Sequence, residues 1–255
     1  MAMGLLDNKV CVVTGGAGSI GLASAEAFLR EGARVLLVDR ESDDLNRAAR
    51  RLASFGERAA FHKADIAERA GTVAYVDAAA KWGGIDVLFL NAGISGAICP
   101  VTEYPEDVFD RVMAVNVRGV FLGCKYGLPK MREGGSIVIT SSVVGTTSDP
   151  GIVGYATSKH AVIGLMRTVA KEAAPRRIRV NVVAPGPIDN EFQKNVETGL
   201  SLAIGTDAKQ FLDGIIPLGR HGAAEEIGRL VLFLASGQSS FSTGGVFMAD
   251  GGMHI

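Results

Sequence analysis

Lys9-Val-Cys-Val-Val-Thr-Gly-Gly-Ala-Gly-Ser-Ile-Gly21 is an apolar, β-branched run that breaks into glycines and reopens as a helical pattern. Within it, Gly16-Ala-Gly18-Ser-Ile-Gly21 spells G-x-G-x-x-G between a strand expected over residues 9–13 and a helix expected over 19–30. Such a turn lets backbone N–H groups approach a pyrophosphate, with the positive end of the helix dipole behind them. An ordinary tight turn uses the same glycines. The discriminating residue is Asp39, which follows a second apolar run over 34–38, eighteen positions beyond Gly21. An acidic side chain there accepts hydrogen bonds from the adenosine ribose hydroxyls and repels a 2′-phosphate, which points to NAD over NADP. Arg40 brings a guanidinium to the same neighbourhood, where it can stack on adenine or attract that phosphate.

Outward from this turn, β-branched runs alternate with helical stretches. Further strands are expected over 58–62, 85–90, 136–140, 179–183 and around Val246. Helices are expected at about 43–54, 68–81, 105–131, 154–172 and 225–234. Pro105 fits a first helical turn, where its missing N–H costs little. Alternation implies a parallel sheet covered on both faces. Periodicity alone does not separate an open sheet from a (β/α)8 barrel of this length, but the glycine turn does. The expected fold is a single-domain (1–255) α/β, doubly wound (Rossmann) parallel sheet of about seven strands. After Pro185-Gly-Pro-Ile188 the pattern loosens, and 189–216 mixes Phe192, Val196, Leu200 and Phe211 with polar residues. A substrate lid with an apolar inner face is one reading of this segment. A subunit contact or ordinary helix core is the other.

The 255 residues are 47% hydrophobic and 21% charged, which suits a large α/β domain with a substantial core. A net charge of -1 gives no reason to expect a nucleic-acid or anionic-membrane partner. The start, MAMGLLDNKV, lacks the pattern of a secretory signal, and no apolar run approaches the roughly 18 residues of a membrane span. Cys11, Cys99 and Cys124 are odd in number and widely spaced, so no disulfide framework is expected and a reducing cytoplasm is the natural setting. His62, His160, His221 and His254 show no ligand spacing, and no metal site is expected.

Tyr155-Ala-Thr-Ser-Lys159 falls in the helix expected over 154–172. Residues four apart share a helix face, so the ammonium can lie beside the phenol. A nearby positive charge favours phenolate and lowers a pKa that is ordinarily about 10. Bringing it near neutrality takes roughly 4 kcal/mol of differential stabilisation. Ser142 stands thirteen residues upstream, just past the strand expected over 136–140.

With these residues in view, the chain resembles the short-chain dehydrogenase/reductase family over nearly its full length. It carries in order the glycine-rich turn, Asn91-Ala92-Gly93, Asn116 in VNVRG, Ser142, Tyr155-x-x-x-Lys159 and Pro185-Gly186. The resemblance implies that Tyr155 is the general acid when a carbonyl is reduced and the general base when an alcohol is oxidised. Lys159 would hold the nicotinamide ribose and, together with the positive nicotinamide ring of the oxidised cofactor, depress the Tyr155 pKa. Ser142, rather than its neighbour Ser141, would hydrogen-bond the substrate oxygen. Asn116 would interrupt its helix and hold a water linking Lys159 to solvent.

The resemblance also assigns the cofactor contacts. Gly15, Gly18, Ser19, Ile20 and Gly21 would face the pyrophosphate, with Asp39 at the ribose. Asp65 and Ile66 would contact adenine, and Asn91, Ala92 and Gly93 would border the adenosine side and support the sheet centre. Pro185, Gly186 and Ile188 would pass the nicotinamide, the Ile188 backbone lying near its carboxamide. Two positions depart from the family pattern. Ser19 stands where glycine is frequent, so Gly18 is expected to absorb the conformational demand and the Ser19 hydroxyl to cap the helix or touch phosphate. Asn190 replaces the threonine of Pro-Gly-x-Ile-x-Thr and is expected to hydrogen-bond the carboxamide.

The activity implied by the resemblance is that of an NAD-dependent oxidoreductase acting on a small-molecule secondary alcohol or ketone. A homotetramer is implied too, with VFMADGGMHI at one interface. Two other functions share these residues. Reduction of 3-oxoacyl thioesters is disfavoured by Asp39 and by the absence of an obvious basic patch. A nucleotide-binding protein without turnover is disfavoured by the complete set of Ser142, Tyr155 and Lys159.

Overall fold

The computed structural model describes residues 4–254. Met1 to Met3, at the head of the stretch MAMGLLDNKV, and Ile255, the end of the expected interface segment, lie outside the described residues. Seven strands form one parallel sheet in the order β3-β2-β1-β4-β5-β6-β7. They are β1 (Val10–Thr14), β2 (Arg34–Asp39), β3 (Ala59–Lys63), β4 (Ile85–Leu90), β5 (Met131–Thr140), β6 (Arg179–Pro185) and β7 (Val246–Ala249). The chain moves outward from β1 to β3, then returns to the other side of β1 with β4. That reversal opens a crevice at the carboxyl ends of β1 and β4, where doubly wound sheets bind ligands. The open sheet ends at β3 and β7, so the expected Rossmann architecture holds.

Alternation along β1 shows how the two faces are built. Cys11 and Val13 enter one core layer and Val12 the other, all fully buried. Burying a side chain of this size contributes about 1.5–3 kcal/mol. The first layer takes α1 (Ser19–Arg30), α2 (Ser42–Arg51) and α9 (Ala224–Ala235). The second takes α3 (Arg69–Ala80), α5 (Gly119–Gly127) and α6 (Val153–Ala173).

The helix expected over 105–131 is not continuous. Pro105 stands just before α4 (Glu106–Met113), a wide π-helical turn over Ala114–Arg118 follows, and α5 ends before the Leu128–Lys130 turn. Met131 and its successors instead extend β5, because Met131 pairs with Ile85 and Arg132 forms an ion pair with the buried Asp86 at 2.7 Å. The loosened region after β6 also holds regular structure. α7 (Glu191–Ile204) and α8 (Ala208–Ile215) form there, and neither contributes to the two core layers. No helix among the described residues is long and apolar enough to cross a membrane.

Candidate active site

The β1–α1 turn supplies the first part of the site. Gly15 adopts φ +62°, and a Cβ there would lie 2.8 Å from the Ala92 Cα. Glycine is therefore required twice over, by backbone conformation and by space. A Cβ on Gly21 would strike the Gly15 carbonyl, which lets α1 start tight against the turn. Gly18 has an ordinary φ of −71° and precedes α1. The conformational demand expected of Gly18 thus falls on Gly15.

No side chain caps α1. The Ser19 hydroxyl, expected to cap it or touch phosphate, accepts a hydrogen bond from Asn190 Nδ2 at 2.9 Å. A first helical turn has N–H groups without intrahelical partners, so the start of α1 keeps donors for an anion. Asp39 accepts from the Ala17 N–H at 3.0 Å and the Arg40 N–H at 2.8 Å. A carboxylate has about four acceptor sites, so capacity remains for ribose hydroxyls. The Arg40 guanidinium turns to Glu41 at 2.9 Å. Asp65 accepts from the Ala67 N–H at 2.9 Å and pairs with Arg111 at 3.2 Å, beside the buried Ile66. Open helix donors followed by an acidic side chain suit a dinucleotide.

Asn91, Ala92 and Gly93 join this turn to the second part of the site. Asn91 Nδ2 donates to the carbonyls of Thr14 and Gly15, and its Oδ1 accepts from Thr140 Oγ1 at 3.0 Å. Thr14 Oγ1 accepts from the N–H groups of Asn91 and Ala92. These bonds tie β1, β4 and β5 together at the carboxyl edge of the sheet. A Cβ on Gly93 would lie 3.4 Å from Lys159 Nζ, so the loop passes directly over the lysine.

The π-helical turn presents Asn116, which is 1% exposed. Its amide accepts from the Ile94 N–H and donates to the Ile94 carbonyl, both at 2.9 Å, and also donates to Ser158 Oγ at 2.9 Å. The expected interruption of the helix is present, and the side chain pins the loop after β4 to α6.

On α6, Lys159 donates from Nζ to the Thr140 carbonyl at 2.9 Å and sits 5.5 Å from the Tyr155 ring centroid. Ser142 Oγ donates to the Pro185 carbonyl at 3.5 Å. Ser141 points elsewhere, donating to the Lys159 carbonyl at 2.9 Å inside the core. Burial pushes the Tyr155 phenol up to about 12, with the Ser142 hydroxyl pulling it back down. Burial also brings the Lys159 ammonium down to about 8. Desolvation opposes the charged form of both groups and is the largest cause of each shift.

The remaining wall comes from β6 and its downstream loop. The Gly186 N–H donates to the Ala249 carbonyl, and Ile188 is buried in a short parallel bridge to Gly222. Asn190, expected at the carboxamide, is the amino-terminal cap of α7, accepting from the Gln193 N–H at 2.8 Å while holding Ser19. Phe192 on α7 reaches over the site, its ring 6.1 Å from that of Tyr155. Farther along α7, a Cβ on Gly199 would come within 3.1 Å of Ile98, so the helix crosses closely over the loop after β4.

Thr14 and Thr140 were not identified from sequence as site supports. Threonine at a strand end reads as an ordinary β-former, and only pairing of β1 with β4 and β4 with β5 reveals their partners. Among the described residues no cluster of three or more histidine, cysteine or acidic side chains is arranged to hold a metal ion.

Comparison with known proteins places this geometry in a wide group of similar chains. The family model adh_short_C2, described as enoyl-(acyl carrier protein) reductase, matches residues 15–254. A 3-oxoacyl-[acyl-carrier-protein] reductase, FabG, of Thermotoga maritima is 39% identical over 253 residues, covering 98% of this chain and 99% of that protein. The crystal structure of levodione reductase superposes with a TM-score of 0.93 at 35% identity, covering 98% of both chains. That of an NAD+-bound xylitol dehydrogenase gives a TM-score of 0.91 at 36% identity, covering 97% of this chain and 99% of that one.

Proposed function

The chain belongs to the short-chain dehydrogenase/reductase family of oxidoreductases, and from that premise we propose that it is an NAD(H)-dependent dehydrogenase of a small secondary alcohol or its ketone. The observation that carries the proposal is the convergence of Tyr155, Lys159 and Ser142 beside an uncapped helix start that has Asp39 at its far side. Hydride exchange at carbon is the chemistry that a bound nicotinamide supplies. The start of α1, Asp39, and the Asp65–Ile66 and Asn91–Gly93 segments would hold the adenosine and pyrophosphate part. Lys159 would hold the second ribose, and Pro185–Ile188 would border the ring.

Tyr155 handles the proton. With its phenol pushed up to about 12, it is protonated at neutral pH and ready to donate to a carbonyl oxygen receiving a hydride. Ser142 donates a hydrogen bond to the same oxygen as negative charge develops there. In the reverse direction Tyr155 would act as base, and the Lys159 charge, present below about pH 8, together with the positive ring of an oxidised nicotinamide would favour the phenolate that this role requires. Both N–H groups of the Asn116 amide are engaged, so the water expected there would be held by an acceptor oxygen.

Asp39 supports NAD, and the similarity to an NAD+-bound xylitol dehydrogenase agrees with that choice. Residues 189–216 act as a substrate lid of the single domain, with Phe192 against the reacting groups and Ile98 beneath α7. This apolar cover suits a neutral substrate and excludes water. The assembly proposed is a cytoplasmic homotetramer. The similarity to a 3-oxoacyl-[acyl-carrier-protein] reductase favours a second reading, reduction of a 3-oxoacyl thioester. A panel of secondary alcohols, ketones, sugars and 3-oxoacyl thioesters with NAD(H) and NADP(H), followed at the nicotinamide absorbance band, separates the two. Turnover of thioesters alone, or with NADPH alone, rejects the first. Turnover of any substrate retained in full by Tyr155→Phe rejects the mechanism.

A further inference from the structure

The proton-transfer set does not use the most heavily buried histidine of the chain. The side chain of His221 is 3% exposed, in the segment between α8 and α9. Its Nδ1 lies 2.6 Å from Asp213 Oδ1 on α8, and its Nε2 lies 2.7 Å from Glu197 Oε1 on α7. The first contact is an aligned hydrogen bond. The second is a close ion-pair contact off the hydrogen-bond line. A neutral imidazole carries one N–H, so with Nδ1 donating it would press the Nε2 lone pair against a carboxylate oxygen with little water between them. A second proton on the more basic partner, the imidazole, would relieve that contact.

We infer that His221, as an imidazolium, is a positioning residue that fastens both lid helices to the segment bordering the nicotinamide site. The neighbouring peptide makes the connection. The Gly222 N–H donates to the Pro187 carbonyl and the Asp189 N–H donates to the Gly222 carbonyl, both at 2.9 Å, on either side of Ile188. Beyond the Asn190–Ser19 hydrogen bond and the close approach of Gly199 to Ile98, other fastening of the lid is slight. α7 buries none of its residues and α8 buries only Ala208 and Leu212.

On α8, Lys209 takes the other Asp213 oxygen at 2.7 Å, and the Asp213 carboxyl is held down at about 2, by Lys209 first and His221 second. On α7, Gln193 donates to Glu197 Oε1 at 3.4 Å, while Lys194 pairs outward with Glu191. On the histidine's own segment, Arg220 donates to the His221 carbonyl and is paired with Glu226 of α9. Asp189, across the bridge, adds a negative charge near Lys194 and Lys209. Histidine is the side-chain type in this group that changes charge between about pH 5 and 8. A neutral ring cannot pair with Glu197, and without that pairing α7 is free.

The catalytic consequence, though not the latch itself, rests on the dehydrogenase reading. Two measurements on the full chain test the latch without turnover. Nitrogen-15 shifts of the His221 ring should show both nitrogens protonated at about pH 6. Amide exchange over residues 191–216 should quicken as pH rises, beyond its intrinsic pH dependence, and should be faster in His221→Gln by about tenfold with that excess abolished. A ring with one protonated nitrogen at that pH overturns the inference, as does a variant that exchanges like the parent. If His221→Gln does not fold, Glu197→Gln leaves the Asp213 bond intact and should still abolish the excess pH dependence; retention of that dependence overturns the inference. With a substrate in hand, His221→Gln should raise KM about tenfold and change kcat less than about threefold. If no substrate is turned over while the exchange results hold, the dehydrogenase reading falls and the latch stands.

Discussion

The helix that carries Tyr155 and the helix that covers it are built in opposite ways. α6 runs for 21 residues and buries nine, including Ser158 and Lys159. α7 runs for 14 residues and buries none, leaving Phe192, Leu202 and Ile204 exposed. Groups that must be held to within a fraction of an ångström sit on the element locked by the core. The proposed lid sits on an element that the core does not hold. The contrast also explains why the chain accepts the expense of a buried lysine on α6, since a charge placed on α7 would be screened by solvent.

The sharpest way to break this comparison is at the phenol. Tyr155→Phe should lower kcat by about 10³-fold in a nicotinamide-linked assay while leaving the ring packing and Tm nearly unchanged. A comparable loss of Tm would mean that α6 depends on the hydroxyl for its structure.

Lys159→Met should also abolish most turnover, yet raise stability. Burial lowers the folded-state pKa of Lys159 from 10.5 to about 8, so the unfolded chain binds more protons between these values and stability rises with pH across that window. Below about pH 8 the strain of holding the charge is fully present, on the order of 3 kcal/mol as an upper bound. Denaturant unfolding should show Lys159→Met more stable at pH 7, with the gap closing by pH 10.5. The tyrosine has the opposite sign, since its folded-state pKa is raised from 10.0 to about 12, so the stability of the parent should fall as pH rises through that range.

In the cofactor turn, Gly15→Ala forces a positive φ and a collision with Ala92. It should cost about 1–3 kcal/mol of stability and weaken NAD binding, read by unfolding and by calorimetric titration. Asp39→Ser removes a charge but keeps a hydroxyl, and should narrow the NAD-to-NADP ratio of kcat/KM by about tenfold to a hundredfold. The smallest effect on the fold belongs to the lid. Phe192→Ala should raise KM about three- to tenfold and change stability by less than about 1 kcal/mol, because the side chain is already 39% exposed.

Legibility in the sequence followed the range of the interaction. The strand and helix sequence around β1, β2, β4 and β6 was readable because periodicity is local, and Tyr155 and Lys159 because four residues make one helical turn. The break at Asn116 was readable only through the family pattern. α7 and α8 were missed because no layer of the core imposes a buried stripe on them. Asn190 was assigned to the carboxamide because the family motif places a side chain there. Within the chain it also caps α7 at the Gln193 N–H and donates to a serine 171 positions away, contacts that no local motif records.

By itself, then, the sequence determined the order of the strands and helices along the chain, the glycine turn and the presence of Ser142, Tyr155 and Lys159. These rest on neighbouring residues and survive in any chain with that pattern. Only the tertiary structure decided that Gly15 rather than Gly18 bears the strained turn, and that burial opposes charge on the phenol. It also decided that His221 meets two carboxylates from different helices. Each of those depends on what a fold brings against a residue from far along the chain, and on how much water it removes. Spacing along a chain records neither.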